Sequence, residues 1–202
     1  EKLKDIADFF LVHNRNILTP IDDSVVRIID GKEIVSRSAR GYAPLALKLS
    51  SHDNTIIGMG AEQKSSVCLL YNGYAHISQY LGNLENMDAC AGYIKVIDQM
   101  ENLINTKPEN TQQVTQQISQ QISQQIIAHD IHPGYFSTQF AKKIAEKTSG
   151  IKLQVQHHHA HMAACMAEHG LTKSSIGVIY DGTGLGTDGA IWGGEFFVGS
   201  IN

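Results

Sequence analysis

The sequence predicts an α/β fold, and three observations carry that expectation. Apolar runs of strand length, at 55–60, 67–71 and 176–180, are punctuated by turns containing Asn and Gly. Between them, at 83–103 and 137–149, apolar residues recur every three or four positions, the period of an amphipathic helix. A third helical stretch, 160–169, is rich in alanine and follows a short strand at 153–155. Strands and helices that alternate in this way belong to layered sheets whose strand ends carry sites.

Composition narrows the class of protein. The 202 residues can hold one large or two small domains, and 42% hydrophobic residues suffice for a core. A net charge of −4 without a sustained Lys/Arg stripe gives no footprint for nucleic acid. No apolar run approaches the roughly 20 residues of a membrane span, and no secretory leader opens the chain. Cys68, Cys90 and Cys165 are far apart and form no Cys-x-x-Cys, so reduced thiols and a cytoplasmic location are expected. The chain begins at Glu1 rather than Met, as a fragment would.

Taken in order, residues 9–12 and 24–29 read as strands, and Asp30-Gly31 is a hairpin turn into 32–35. The arginines of this region, Arg15, Arg27, Arg37 and Arg40, can meet a phosphate or carboxylate, although ordinary surface pairing is the commoner use. A polar joint at 50–54 separates this part from a fresh beginning. Strands at 55–60, 67–71 and 74–78 make a meander closed by Asn72-Gly73. Its first turn, Gly60 to Ser66 with Lys64, is either a phosphate cradle or a plain hairpin turn.

The helix at 83–103 carries Met87, Cys90, Ile94 and Ile97 as its apolar seam, and Lys107-Pro108 stops it. A Gln-Gln-Ile-Ser repeat follows, with Val114, Ile118, Ile122 and Ile126 four apart; that stripe drifts around a helix, so the insert carries no chemistry. Residues 126–135 form a strand ending in a polar turn. The helix at 137–149 has Phe140 and Ile144 as its seam and Gly150 as its cap.

Chemistry concentrates in two places. Half of the ten histidines lie between His157 and His169. On a helix His157 and His161 stand one turn apart on one face, the spacing that lets two imidazoles reach one divalent metal. Two ligands do not close a site, and a polyhistidine surface turn or hydrogen-bonded core histidines are the commoner explanation of such a pair taken alone. The strand at 176–180 ends in Asp181-Gly182-Thr183-Gly184-Leu185-Gly186-Thr187-Asp188-Gly189. Here a backbone can approach phosphate oxygens closely and Asp181 can ligate a metal, or a glycine-rich hairpin simply turns the chain into the strand at 190–198.

The run Val155 to His161, and Asp181-Gly182-Thr183-Gly184 leading to Trp192-Gly193-Gly194-Glu195, resemble the HypF family of carbamoyltransferases in nickel-iron hydrogenase maturation. So do His132-Pro133, Gly58 to Lys64, Asp22 to Arg27, and Arg37 to Pro44. The resemblance spans nearly the whole chain and departs from the family mainly in the Gln-rich insert at 110–125. It implies the end of a YrdC-like α/β domain at 1–49, then at 50–202 the first part of a Kae1-like domain of the actin-type ATPase, ribonuclease H-like superfold. It further implies an ATP-dependent enzyme that makes carbamoyl-adenylate from carbamoyl phosphate and passes the carbamoyl group to the C-terminal cysteine of a HypE-type partner.

By the same resemblance His157, His161 and Asp181 are the catalytic metal site, for iron, zinc or magnesium. Ser24 and Arg27 lie near the adenylate, and Gly60, Lys64, Gly182, Thr183 and Gly184 bind phosphates of the nucleotide. The resemblance leaves the family's other domains outside this stretch, so the fragment by itself is expected to be inactive. The tRNA threonylcarbamoyl transferases share the histidine pair but lack a YrdC-like segment in the same chain. A zinc protease needs Glu after its first histidine, where this chain has His158. A histidine-rich metal carrier would bind metal without regard to Asp181.

Overall fold

The computed structural model describes residues 3–49, 54–105 and 125–201. Residues 50–53 of the expected joint at 50–54, the helix stop at Lys107-Pro108 and residues 110–124 of the Gln-rich insert lie outside them.

Strands β1 (Val25–Ile29) and β2 (Lys32–Arg37) form an antiparallel hairpin. Asp30 and Gly31 both take positive φ, 50° and 72°, as a tight two-residue turn requires. Residues 9–12 are not a strand. Phe9 and Leu11 are exposed, because an apolar run becomes a strand only when another strand accepts its hydrogen bonds, and none does so among the described residues.

β3 (Leu45–Lys48), β4 (Ile56–Gly58), β5 (Cys68–Tyr71), β6 (Tyr74–Ile77), β7 (Ile126–Asp130) and β8 (Ile151–Val155) make one sheet in the order β3-β6-β5-β4-β7-β8. The expected meander is present, with Asn72 and Gly73 at positive φ in its second turn. β7 and β8 add parallel strands beyond β4. β3 lies before the boundary expected at residue 49, yet it pairs with β6 and so forms the edge of the downstream sheet. Continuous hydrogen bonding therefore crosses the sequence joint.

α1 (Met87–Asn105) starts later than its periodicity suggests, because the Asn86 side chain caps it by accepting from the Asp88 N–H at 2.8 Å. Its buried seam is Tyr93, Val96, Ile97 and Met100; Met87, placed in the seam by sequence, is exposed. That face and Ala141, Ile144 and Ala145 of α2 (Phe136–Thr148) pack with Ile57, Leu69 and Ile127 of the sheet in one core. Tyr93 is fully buried and donates its hydroxyl to the Met59 carbonyl at 2.6 Å. The left-handed cap of α2 is Ser149, φ 54°, not Gly150. Gly150 is required for another reason: a Cβ there would lie 2.7 Å from Ile127 Cδ1 and 3.0 Å from the Gln125 carbonyl.

α3 (His157–Glu168) follows β8 directly and packs on β9 (Ser175–Leu185), which pairs with β10 (Ile191–Gly199). Sequence placed Asp181-Gly182-Thr183-Gly184 in a turn, but all four belong to β9, and the turn lies at 186–190. Tyr180 pairs with Gly194 and Gly184 with Trp192, so Asp181, Gly182 and Thr183 stand opposite the single residue Gly193. Such a bulge gives the same freedom as a turn and re-aims a side chain out of the pleat. No helix among the described residues is long and apolar enough to cross a membrane.

Candidate metal centre

Three elements bring the centre together: the C-terminal end of β7, the first turns of α3, and the bulge in β9. α3 begins where β8 ends because Gln156 takes extended φ and ψ and its Oε1 accepts from the His159 N–H at 3.0 Å. The helix then presents His157 and His161 on one face, with ring centroids 4.9 Å apart. The bulge turns Asp181 toward them.

Asp181 Oδ2 lies 3.1 Å from His157 Nε2 and 3.8 Å from His161 Nε2. One ligand atom from each of the three residues falls within 4.8 Å of the others. Ligands about 2.0–2.2 Å from a common ion stand roughly 3–3.5 Å apart, so the spacing is near that of a shared metal. Asp181 Oδ1 is already used, accepting from the Gly182 N–H at 2.7 Å. Oδ2 is buried and has no hydrogen-bond partner among the described residues, although imidazole nitrogens surround it. A buried carboxylate oxygen without a donor is costly unless a cation completes it, and two imidazoles with one carboxylate are the donors a divalent metal takes.

Asp130, which sequence reasoning did not place in the site, fixes His157. Its Oδ2 lies 2.7 Å from His157 Nδ1, while Oδ1 accepts from the His132 N–H at 2.8 Å. With Nδ1–H donated to a carboxylate, neutral His157 turns the Nε2 lone pair toward the centre, where a cation that takes it displaces the proton. The Asp130 hydrogen bond, with the charges of Asp130 and Asp181, holds the His157 pKa above its ordinary value against the opposing effect of burial. Burial pushes the Asp130 carboxyl up, but the bonds from His157 and His132 outweigh it and its pKa falls below the usual value. Burial and the neighbouring His157 lower that of His161, whose side chain remains 54% exposed. A histidine held between two carboxylates marks a place that favours positive charge. The available signal for Asp130 was an acidic residue at the tip of a strand of strand-helix type.

The remaining expected residues are placed as follows. Gly60 (φ 64°) and Lys64 (φ 49°) shape a tight turn, where a Cβ on Gly60 would meet the Ser66 carbonyl at 2.5 Å and the Lys64 N–H is bound by Asn83 Oδ1. That turn adjoins the loop after β7, since Glu62 Oε2 accepts from the Phe136 N–H at 2.7 Å. In the same loop Tyr135 stacks on His132, centroids 4.1 Å apart; burial and the charges of Asp130, Glu62 and Asp181 raise its hydroxyl pKa. The Gly182 N–H is committed to Asp181, and Gly184 admits His158, whose Cε1 would lie 2.5 Å from a Cβ there. Thr183 is exposed in the bulge. Ser24 Oγ donates to the Arg40 carbonyl and accepts from the Ala39 N–H, and Arg27 is exposed on β1; both belong to the first hairpin region rather than to the histidine centre.

Comparison with known proteins bears on this arrangement. The family model described as the HypF Kae1-like domain matches residues 51–168, and that of the second subdomain of the carbamoyltransferase Kae1-like domain matches 177–202. The chain is 39% identical to carbamoyltransferase HypF2 of Cupriavidus necator over 98% of its own length and 23% of that protein's. It is 40% identical to carbamoyltransferase HypF of Synechocystis sp. over 96% of its own length and 23% of the relative's. The fold superposes on a crystal structure of full-length HypF in the phosphate- and nucleotide-bound form with a TM-score of 0.81 and 43% identity, covering 98% of this chain and 28% of that one. On HypF from T. kodakarensis the TM-score is 0.77 at 36% identity, covering 97% and 23%. The chain therefore spans about a quarter of the length of these relatives, and within that span it belongs to the HypF carbamoyltransferase family.

Proposed function

We propose that this chain carries the metal-dependent carbamoyl-transfer centre of an ATP-dependent carbamoyltransferase. In this reading the whole protein forms carbamoyl-adenylate from carbamoyl phosphate and delivers the carbamoyl group to the C-terminal cysteine of a HypE-type partner, for cyanide ligand synthesis in hydrogenase maturation. The observation that carries it is the convergence of His157 Nε2, His161 Nε2 and Asp181 Oδ2 in a chain of this family.

His157, His161 and Asp181 would hold a divalent metal, and imidazole with carboxylate suits zinc or iron, with magnesium in reach when a nucleotide shares the ion. When bound, such an ion supplies Lewis-acid polarisation of a carbamoyl or phosphoryl oxygen. The chain's own residues do the rest. Asp130 orients His157 through Nδ1, so that Nε2 faces the centre. The Gly182 N–H orients Asp181 through Oδ1. The exposed edge of His161 leaves the centre open on one side for substrate. Gly60 and Lys64 belong to a turn at the same end of the sheet, where main-chain N–H groups and one ammonium suit a nucleotide phosphate. Ser24 and Arg27 would serve the adenylate in the upstream domain. The nucleophile comes from the partner: its cysteine sulfur bonds to the carbamoyl carbon as the bond to the AMP phosphate oxygen breaks.

The test is carbamoyl transfer by the full-length protein from carbamoyl phosphate and ATP to the partner, read by mass spectrometry. Wild type adds one carbamoyl mass to the C-terminal cysteine, and His161→Ala and Asp181→Ala lose transfer while still forming adenylate. An unmodified partner together with modified tRNA would replace this reading with the tRNA transferase.

A further inference from the structure

The histidine between the two candidate ligands has a different task. His158 is completely buried, and its ring is pinned at both nitrogens: Nδ1 lies 3.1 Å from Gln156 Nε2 and Nε2 lies 2.7 Å from the Gly193 carbonyl. The roles of these atoms follow from the network. Gln156 Oε1 accepts from the His159 N–H, so Gln156 Nε2 is the amide donor, and it also reaches the Leu185 carbonyl at 3.1 Å. His158 Nδ1 must then accept, and Nε2–H must donate to Gly193.

Gly193 is the single β10 residue opposite the bulge of Asp181, Gly182 and Thr183, and Leu185 is the last residue of β9, the strand that carries the bulge. The pair Gln156 and His158 therefore ties the start of α3 to both strands of the hairpin, on either side of Asp181. The chain makes room for this contact. Gly184 leaves the space that a Cβ would take from the His158 ring, and Trp192 and Phe197 flank it with centroids 6.0 and 6.3 Å away. The clamp also spans the two matched units, since Gln156 and His158 fall in the segment 51–168 and the hairpin in 177–202. His157 and His161 come from the first unit and Asp181 from the second.

We infer that His158, held by Gln156, is a positioning residue that sets the distance between the histidine pair on α3 and Asp181 on β9. The inference rests on the metal-centre reading above. Neither nitrogen of His158 is free to ligate, so its effect on the metal is transmitted through the placement of Asp181.

The experiment is Co2+ titration of the full-length protein, prepared metal-free, followed by visible absorption. The difference between wild type and His161→Ala isolates this centre from any other cobalt site. His158→Leu removes both hydrogen bonds, whereas His158→Gln can still donate to Gly193 from its side-chain amide. The expected result is an affinity loss of about 10- to 100-fold with an altered difference spectrum in His158→Leu, and recovery to within about threefold of wild type in His158→Gln. Wild-type affinity and spectrum in His158→Leu would overturn the inference. So would a His158→Gln variant as impaired as His158→Leu, since shape rather than the hydrogen bond would then be at work. A wild type that binds no more Co2+ than His161→Ala fails at an earlier step and overturns the metal-centre reading itself.

Discussion

Two glycines two positions apart in β9 should respond oppositely to alanine. At Gly184 an added Cβ would lie 2.5 Å from His158 Cε1, 2.8 Å from its Nδ1 and 3.1 Å from His157 Cβ. None of these atoms can yield alone, because His158 is buried and bound at both nitrogens and His157 sits in the first turn of α3. Overpacking costs about 1–3 kcal/mol. Loss of the bond to Gly193 adds about 1 kcal/mol, and restricting the unfolded chain returns roughly 0.4–1 kcal/mol. The net is about 2 kcal/mol against the α3 contact, close to a thirtyfold increase in local opening. At Gly182 nothing lies within 4 Å of the added atom and the N–H to Asp181 is retained, so only the small favourable term remains. Hydrogen exchange of peptides covering 157–168, read by mass spectrometry, separates the two variants. Gly184→Ala should exchange there about thirty times faster and Gly182→Ala no faster than wild type. Equal protection in both variants would refute the packing role assigned to Gly184.

Other outcomes follow from single contacts. Tyr93→Phe leaves the buried Met59 carbonyl without its donor and should cost about 1–3 kcal/mol in urea unfolding, with the packing of the ring unchanged. Asp188 accepts from the Ala190 N–H and from the Trp192 indole, which depress its pKa, so its contribution to the β9–β10 turn is present above its ordinary value of 3.8 and is lost as pH falls through the lower folded value. Acid titration of Trp192 fluorescence should show that step, and Asp188→Asn should remove it. Burial raises the Cys68 thiol to about 11, whereas Cys165 is exposed on α3; iodoacetamide at pH 8 should alkylate Cys165 and leave Cys68 until the protein unfolds.

Much of the frame was legible because local chemistry and tertiary context agree. Asn72-Gly73 and Asp30-Gly31 can form only tight turns, and the apolar runs at 56–58, 68–71 and 126–130 find partner strands. The segment 9–12 has equal strand propensity and no such partner among the described residues, which no local pattern reveals. The seam of α1 was read rightly at Ile97 and Cys90 but missed Tyr93, Val96 and Met100, which the three-and-four spacing from Met87 passes over and which join the core. In the candidate site, helical spacing and a carboxylate near a strand end singled out His157, His161 and Asp181, but a surface turn and a plain glycine-rich hairpin fitted as well until the resemblance joined them. Asp130 was not singled out, since its role depends on β7 standing beside β8, a contact that brings together residues 27 positions apart.

The run of histidines in α3 invites one shared explanation. The structure gives them separate environments. His157 stands between Asp130 and Asp181. His158, one residue on, points about 100° around the helix into the hairpin and is bound at both ring nitrogens. His159 meets the Phe197 ring edge-on at 4.7 Å, and His161 returns to the face of His157 after one turn. A helix that turns two imidazole nitrogens toward one point and also packs on the strand bearing Asp181 has few positions for either task. The face that points to the centre lies beside the face that packs on β9, so adjacent residues divide the work. A substitution at His158 should therefore act on the centre through distance, and one at His161 through chemistry, although they lie only three positions apart in the chain.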